Sequence, residues 1–190
     1  GLSGRLVNPR QVHGDHVVVV SSSEAAELAS VRNEAGEGAD AVVCTAAGVP
    51  VLLCYADCVP VVLVAEGGFA VIHSGWRGTI ARISAKALAT LATETGHAPQ
   101  EVRAYVGPHI AGEDYEVSAG LMGRFVDEFG PAAQAGERLL DLEACIVRTL
   151  VEEGVPADMI AGTHASTSRE TGRFFSYRAT GGSCGRDRKS

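Results

Sequence analysis

Between residues 41 and 74 the chain carries four short apolar runs in close succession: AVVC at 41–44, VPVLLCYA at 49–56, PVVLVA at 60–65 and FAVIHS at 69–74. Each is rich in Val, Ile or Leu and is set off from the next by Gly, Pro or Asp, which is how strands of a sheet read. Glu66-Gly67-Gly68 supplies a hairpin turn between the last two. A sheet built partly from consecutive strands is therefore the expected centre of the fold. Residues 17–20 (VVVV) read as one more strand, residues 24–32 as a short helix, and Gly36 to Asp40 as a turn.

From Trp76 the period lengthens. Trp76, Ile80, Ile83, Ala87, Leu88 and Leu91 fall on one side of a 3.6-residue repeat, predicting a helix to about Thr95 with Gly96 at its end. EVRAYVGP at 101–108 returns to strand. Ser118 is placed to cap a helix carrying Leu121, Met122, Phe125 and Phe129, closed by Gly130-Pro131. Asp141 caps another, with Leu142, Cys145, Ile146 and Leu150 inward and Gly154 and Pro156 beyond. Residues 158–163 make a last strand, and the end is Gly-rich. Strands outnumber helices, which favours mixed α and β layers over a strictly alternating parallel fold. No repeat or long linker divides the chain, so one domain is expected.

The length of 190 residues, 46% of them hydrophobic, suffices for one domain with a sizeable core. A net charge of −7 argues against electrostatic binding of nucleic acid. The tail Arg186-Asp187-Arg188-Lys189 reads as a solvated end. No apolar run approaches the roughly 20 residues of a membrane helix, and no charged-then-apolar leader opens the chain. The expectation is a cytoplasmic protein without a membrane partner. Cysteines at 44, 54, 58, 145 and 184 form no CxxC pair and are odd in number, which suits free thiols in a reducing compartment. Cys145, on the apolar side of its helix, belongs to the core.

Three turn-bounded segments hold chemically capable residues: Gln11-Val12-His13-Gly14, Ala56-Asp57-Cys58-Val59-Pro60 and His73-Ser74-Gly75-Trp76-Arg77-Gly78. Two imidazoles and a thiolate, from His13, Cys58 and His73, suit zinc with a fourth position open. Nothing in the local spacing forces the three together, and a strand-end His also serves as a structural hydrogen-bonding residue. Cys58 with His73 is alternatively a thiolate–imidazole pair for nucleophilic catalysis. Arg77 at a helix start is a surface charge or, with free backbone N–H groups, an anion site. Arg173 and Arg178, around Phe174-Phe175-Ser176-Tyr177, form either a wall for an anionic or planar substrate or a core edge.

The stretches QVHGDHV, ADCVPVVL, HSGWRG, VGPHIAGEDYEV and GRFFSYR occur in the order seen in the laccase-domain family, the YfiH-like proteins. The chain resembles that family from about residue 10 to 187. The resemblance implies an α+β single domain, a four-layer α/β/β/α sandwich with mixed β-sheets. It implies a zinc enzyme acting on purine nucleosides and phosphate, combining phosphorolysis with adenosine deamination. The family's older label, polyphenol oxidase or laccase, implies copper instead. The family's metal ligands fall on His13, Cys58 and His73. Asp57 is the nearest acid and joins Cys58 and His73 as a catalytic candidate; the two side chains share a side only if the chain turns before Pro60. Arg77 becomes the phosphate holder, with Arg173, Ser176 and Arg178 bordering the substrate.

Family chains usually carry a longer stretch before QVHG, whereas only twelve residues precede His13. The expectation is one domain over residues 1–190 that lacks the family's N-terminal segment. Ser74, Ala179 and Thr163 stand where relatives usually have Ala, Arg and Cys, departures that bear on substrate range. A copper oxidase is the first rival, since two His and one Cys also make a blue-copper set. It needs further ligands, and His16, His97, His109 and His164 show no His-x-His pairing. A cysteine hydrolase on Cys58 and His73 is the second rival. A non-catalytic, metal-stabilised interaction module is the third.

Overall fold

Hydrogen bonding gathers most of the apolar runs into a six-stranded mixed sheet in the order β1-β2-β4-β3-β5-β8. The computed structural model describes residues 4–182, so Cys184 and the basic tail lie outside the described residues. In chain order the elements are β1 (Val17–Val20), α1 (Ala25–Glu37), β2 (Ala41–Cys44), β3 (Val59–Ala65) and β4 (Gly68–Ser74). Then come α2 (Trp76–Ile80), α3 (Ile83–Thr95), β5 (Arg103–Val106) and α4 (Ala119–Phe129). The small hairpin β6 (Gln134–Gly136) and β7 (Leu139–Leu140), α5 (Leu142–Glu152) and β8 (Ile160–Gly162) complete the order. The α+β class with a mixed sheet is as expected from the sequence.

Pairing follows the connections. β3 and β4 form the hairpin turned by Glu66-Gly67, with Gly67 at φ +82°. β4 also pairs antiparallel with β2, and β3 with β5. The two outer pairs, β1 with β2 and β5 with β8, are parallel. Parallel neighbours need a crossover, and α1 supplies the first while α4 and α5 supply the second.

The main core lies where α3, α4 and α5 cover one face: Ile83, Leu88, Leu91, Phe125, Phe129, Ile146 and Leu150 pack on Val61, Leu63, Ile72 and Ala104. On the opposite face Leu28 of α1, with Val7, Val49 and Leu53, packs on Val20, Val42 and Cys44. β2 is buried at all four positions because alternate residues enter the two clusters. The predicted caps hold: Ser118 Oγ accepts from the Leu121 N–H (3.2 Å) and Asp141 Oδ1 from the Ala144 N–H (2.8 Å). α1 extends five residues beyond the expected end at residue 32, to Glu37.

Two expectations are corrected. VPVLLCYA at 49–56 is not a sheet strand; it crosses the sheet as an extended cover. Val51 bridges to Val7, Val49 and Leu53 are buried, and the Gln11 amide holds Cys54 at both its N–H and its C=O. Its apolar residues are needed to seal a face, and a sealing segment has the same composition as a buried strand. The helix expected from Trp76 to Thr95 is broken after Ile80. Arg82 sits in the left-handed region at φ +55°, where Glu128 (2.7 Å) and Glu152 (2.9 Å) hold its guanidinium over the Phe129 ring. Anchors from two other helices outweigh the helical period there.

Candidate metal centre

Strand register assembles the site. In the β3–β4 hairpin Val59 pairs with Ser74 and Pro60 with His73. One residue further out, the turn carrying Cys58 meets Gly75, so a spacing of fifteen residues becomes a contact across a hairpin mouth. Ala41 of β2 pairs with Ile72 of β4 and with Val17 of β1. Residue 40 therefore lies beside His73, whose N–H donates to the Asp40 carbonyl (2.7 Å), and beside the segment that precedes β1. His13, Cys58 and His73 come together in this way, their ligand atoms all within 4.8 Å of one another.

Asp40 organises the group. It is fully buried, and its Oδ2 accepts the N–H of Gly14 (2.7 Å) and of Val12 (3.1 Å). Its Oδ1 accepts the His13 N–H (3.0 Å) and the His73 ring (2.7 Å). These bonds hold His13 at φ +59°, a conformation unusual outside glycine. A carboxylate only accepts, so the proton between Asp40 and His73 belongs to Nδ1 of the ring. Nε2 is then left as the ligand atom, which is the carboxylate–histidine arrangement that orients imidazoles toward metals.

Burial of Asp40 opposes its ionisation, yet the bonds from His73, Gly14 and Val12 outweigh it and hold the carboxyl below its usual range. His13 is held below its ordinary value by burial and by the His73 ring, with a further push from Arg77 against the pull of Asp40. It is thus the neutral imidazole a metal requires. Burial, then Asp57 and Asp40, pushes the Cys58 thiol up to about 12. Without a cation, that favours the neutral thiol over the thiolate. A metal ion reverses that balance by binding the thiolate directly. Space is reserved as well: a Cβ at Gly75 would lie 3.0 Å from Cys58 Sγ and 3.2 Å from His13 Cδ2. Two nitrogens and a sulfur gathered around a glycine suit zinc, or copper, as ligands.

The other sequence candidates divide. Asp57 is buried at the turn before Pro60, at φ +81°, with its Oδ1 accepting from Thr167 Oγ1 (2.7 Å) and its Oδ2 from the Arg178 N–H (2.7 Å). It fastens the C-terminal segment to the Cys58 turn. The Arg178 guanidinium donates to the Glu116 carbonyl (3.1 and 3.0 Å) and lies over the Tyr115 ring. Ser176 is buried and its Oγ accepts from the Ala179 N–H. Arg173 points to Glu170 (2.5 Å) and the Phe174 ring rather than to the metal group. Arg77 is exposed over the Trp76 ring (4.9 Å), near enough for its charge to act on His13. The helix it opens has only five residues, so little of the expected helix dipole supports an anion there.

Three residues escaped the sequence reading. Asp40 carries the only available signal, an acid placed directly before a wholly apolar strand. Tyr55 lies with its ring 5.6 Å from that of His73 and donates its hydroxyl to the Ile72 carbonyl (3.1 Å). Tyr115 is half-buried beside Cys58 and Arg178, and burial above all raises its pKa. Tyr55 stands in a run that reads as ordinary apolar sequence, and Tyr115 stands in VGPHIAGEDYEV, where the resemblance gave the tyrosine no role.

Comparison with known proteins bears on the whole chain. Residues 1–189 match the model of a family described as multi-copper polyphenol oxidoreductase laccase. A relative named adenosine deaminase RL5, from an unknown prokaryotic organism, is 35% identical over 95% of this chain and 72% of its own length. A purine nucleoside phosphorylase of Xylella fastidiosa is 34% identical over 95% of this chain and 67% of its own. The crystal structure of the Bacillus licheniformis protein YfiH superposes with a TM-score of 0.82 at 26% identity, covering 94% of this chain and 70% of that one. YlmD from Geobacillus stearothermophilus gives 0.80 at 28% identity, again over 94% of this chain and 70% of the other.

Proposed function

The chain belongs to the laccase-like YfiH family, and from that premise we propose that it is a zinc-dependent purine nucleoside enzyme, combining phosphorolysis with adenosine deamination. The observation that carries the reading is the meeting of His13, Cys58 and His73 within 4.8 Å around Asp40. The names of the relatives supply the substrate class.

His13, Cys58 and His73 would hold the ion, with His73 kept in one tautomer by Asp40. Bound there, zinc would supply Lewis acidity at an open fourth position. The protein's own part is positioning. Tyr55 and Tyr115 give aromatic sides to the site, of the kind against which a planar base can stack. Asp57 holds the segment that presents Arg178, and Arg77 stands at the other side as the phosphate holder. Ser176, buried below Arg178, keeps that turn closed, and Arg173 borders the outer edge. No helix of the described residues is long and apolar enough to cross a membrane.

Copper is the rival metal because of the family description. Among the described residues, His13, Cys58 and His73 are the only such ligand group. His16 pairs with Glu34, His97 with Glu101, and His109 and His164 both with Glu143. A dioxygen-reducing oxidase needs a second set of ligands, which favours zinc. The test is turnover of adenosine and of inosine, with and without phosphate, on protein loaded with zinc or with copper, beside a phenol-oxidation assay. Nucleoside turnover with zinc is expected; phenol oxidation with copper alone, and no nucleoside turnover, would overturn the proposal.

A further inference from the structure

Two cations, Arg77 and Arg124, lie within 6 Å of the Trp76 ring. The guanidinium of Arg77 is 4.9 Å from the indole centroid and that of Arg124, on α4, is 5.9 Å from it. Both side chains are exposed. Arg82, Arg138, Arg148, Arg169, Arg173 and Arg178 each reach a carboxylate or carbonyl oxygen. Arg77 and Arg124 hold no such oxygen among the described residues. For Arg124 this is a choice, since Glu128 stands four residues on along the same helix, where ion pairs form readily. Glu128 turns to Arg82 instead (2.7 Å).

A guanidinium stacked on an aromatic ring uses its face and keeps its N–H edge free. That edge can grip two oxygens of one anion at once. Two unpaired cations on one ring also repel each other, a repulsion that a doubly charged ligand relieves. The platform adjoins the metal group, because Trp76 follows Gly75, whose Cβ position is 3.0 Å from Cys58 Sγ. We propose that Trp76, Arg77 and Arg124 form a clamp for a phosphate dianion beside the metal group, with Arg124 as its second arm. The ligand is free inorganic phosphate or the phosphate of a sugar monoester. The inference rests on the proposed function only in taking that phosphate to be a co-substrate or product of nucleoside cleavage.

Trp76 is the only tryptophan in the sequence, so its fluorescence reports on this platform alone. Zinc-loaded protein is titrated with inorganic phosphate, with ribose 5-phosphate, and with chloride at matched ionic strength. A saturable change with one or both phosphates is expected, and the lower midpoint identifies the source. In Arg124→Ala the midpoint should rise about tenfold, the loss of one charge-assisted contact, and in Arg124→Lys by less. Thermal melting checks that both variants are folded. An unchanged midpoint in Arg124→Ala, or a parent response that chloride reproduces, overturns the clamp. Saturable phosphate binding without inosine cleavage leaves the clamp standing and removes the phosphorylase reading. Inosine cleavage with the same phosphate KM in Arg124→Ala and parent removes the clamp and leaves the phosphorylase reading.

Discussion

Two buried aspartates flank the Cys58 turn, and they fasten different things. The Asp40 carboxylate gathers three consecutive N–H groups from residues 12–14 and the ring of His73, so every bond it accepts ends on a residue of the candidate metal group or its neighbour. Asp57 reaches across more than a hundred residues to Thr167 and Arg178, so its side-chain bonds end on the C-terminal segment. Both stand next to positive-φ geometry, Asp57 in its own backbone and Asp40 through His13. The contrast teaches that the His13, Cys58 and His73 group and the C-terminal segment carrying Arg178 are held by separate clasps. One can vary without the other.

Removing the charge at each clasp should separate them. Asp40→Asn is expected to have the largest effect, because three backbone N–H groups and an imidazole lose a charged acceptor. Zinc affinity should fall about 10- to 100-fold, as when the partner of a ligating histidine is lost, measured by competition with a chromophoric chelator. Asp57→Asn tolerates the left-handed backbone and should cost about 1–3 kcal/mol in urea unfolding, with a raised nucleoside KM. Its zinc affinity should stay within about twofold of the parent on the same clasp argument. Equal zinc loss in the two variants would break the comparison. Gly75→Ala should be the mildest, weakening zinc roughly fivefold through overpacking between Cys58 and His13. It should leave the nucleoside KM unchanged once zinc is saturating; a KM shift as large as that of Asp57→Asn would mean the two halves share one support.

Much of the fold was legible. The strands at 17–20, 41–44, 60–65 and 69–74, the Glu66-Gly67 turn and the caps at Ser118 and Asp141 follow from alternation, helical period and turn chemistry, all of which act within a few residues. The failures share a cause. VPVLLCYA has strand composition but seals a face, and the helix after Trp76 is interrupted by charges from α4 and α5 that reach Arg82. In each case a tertiary partner outweighed the local pattern.

The site divides the same way. The residue types of the His13, Cys58 and His73 set, the glycines around them and their places at turns or strand ends are written in the sequence. The spacing of Cys58 and His73 even matches a hairpin mouth, because the intervening turn sets the register. Only the folded chain brings His13 to them, since that depends on β1 lying parallel to β2 and on a buried carboxylate collecting the 12–14 backbone. Asp40 had no legible role for the same reason: hydrophobic periodicity records which side chains leave water, while a hydrogen-bond acceptor acquires its meaning from donors that arrive from elsewhere in the chain.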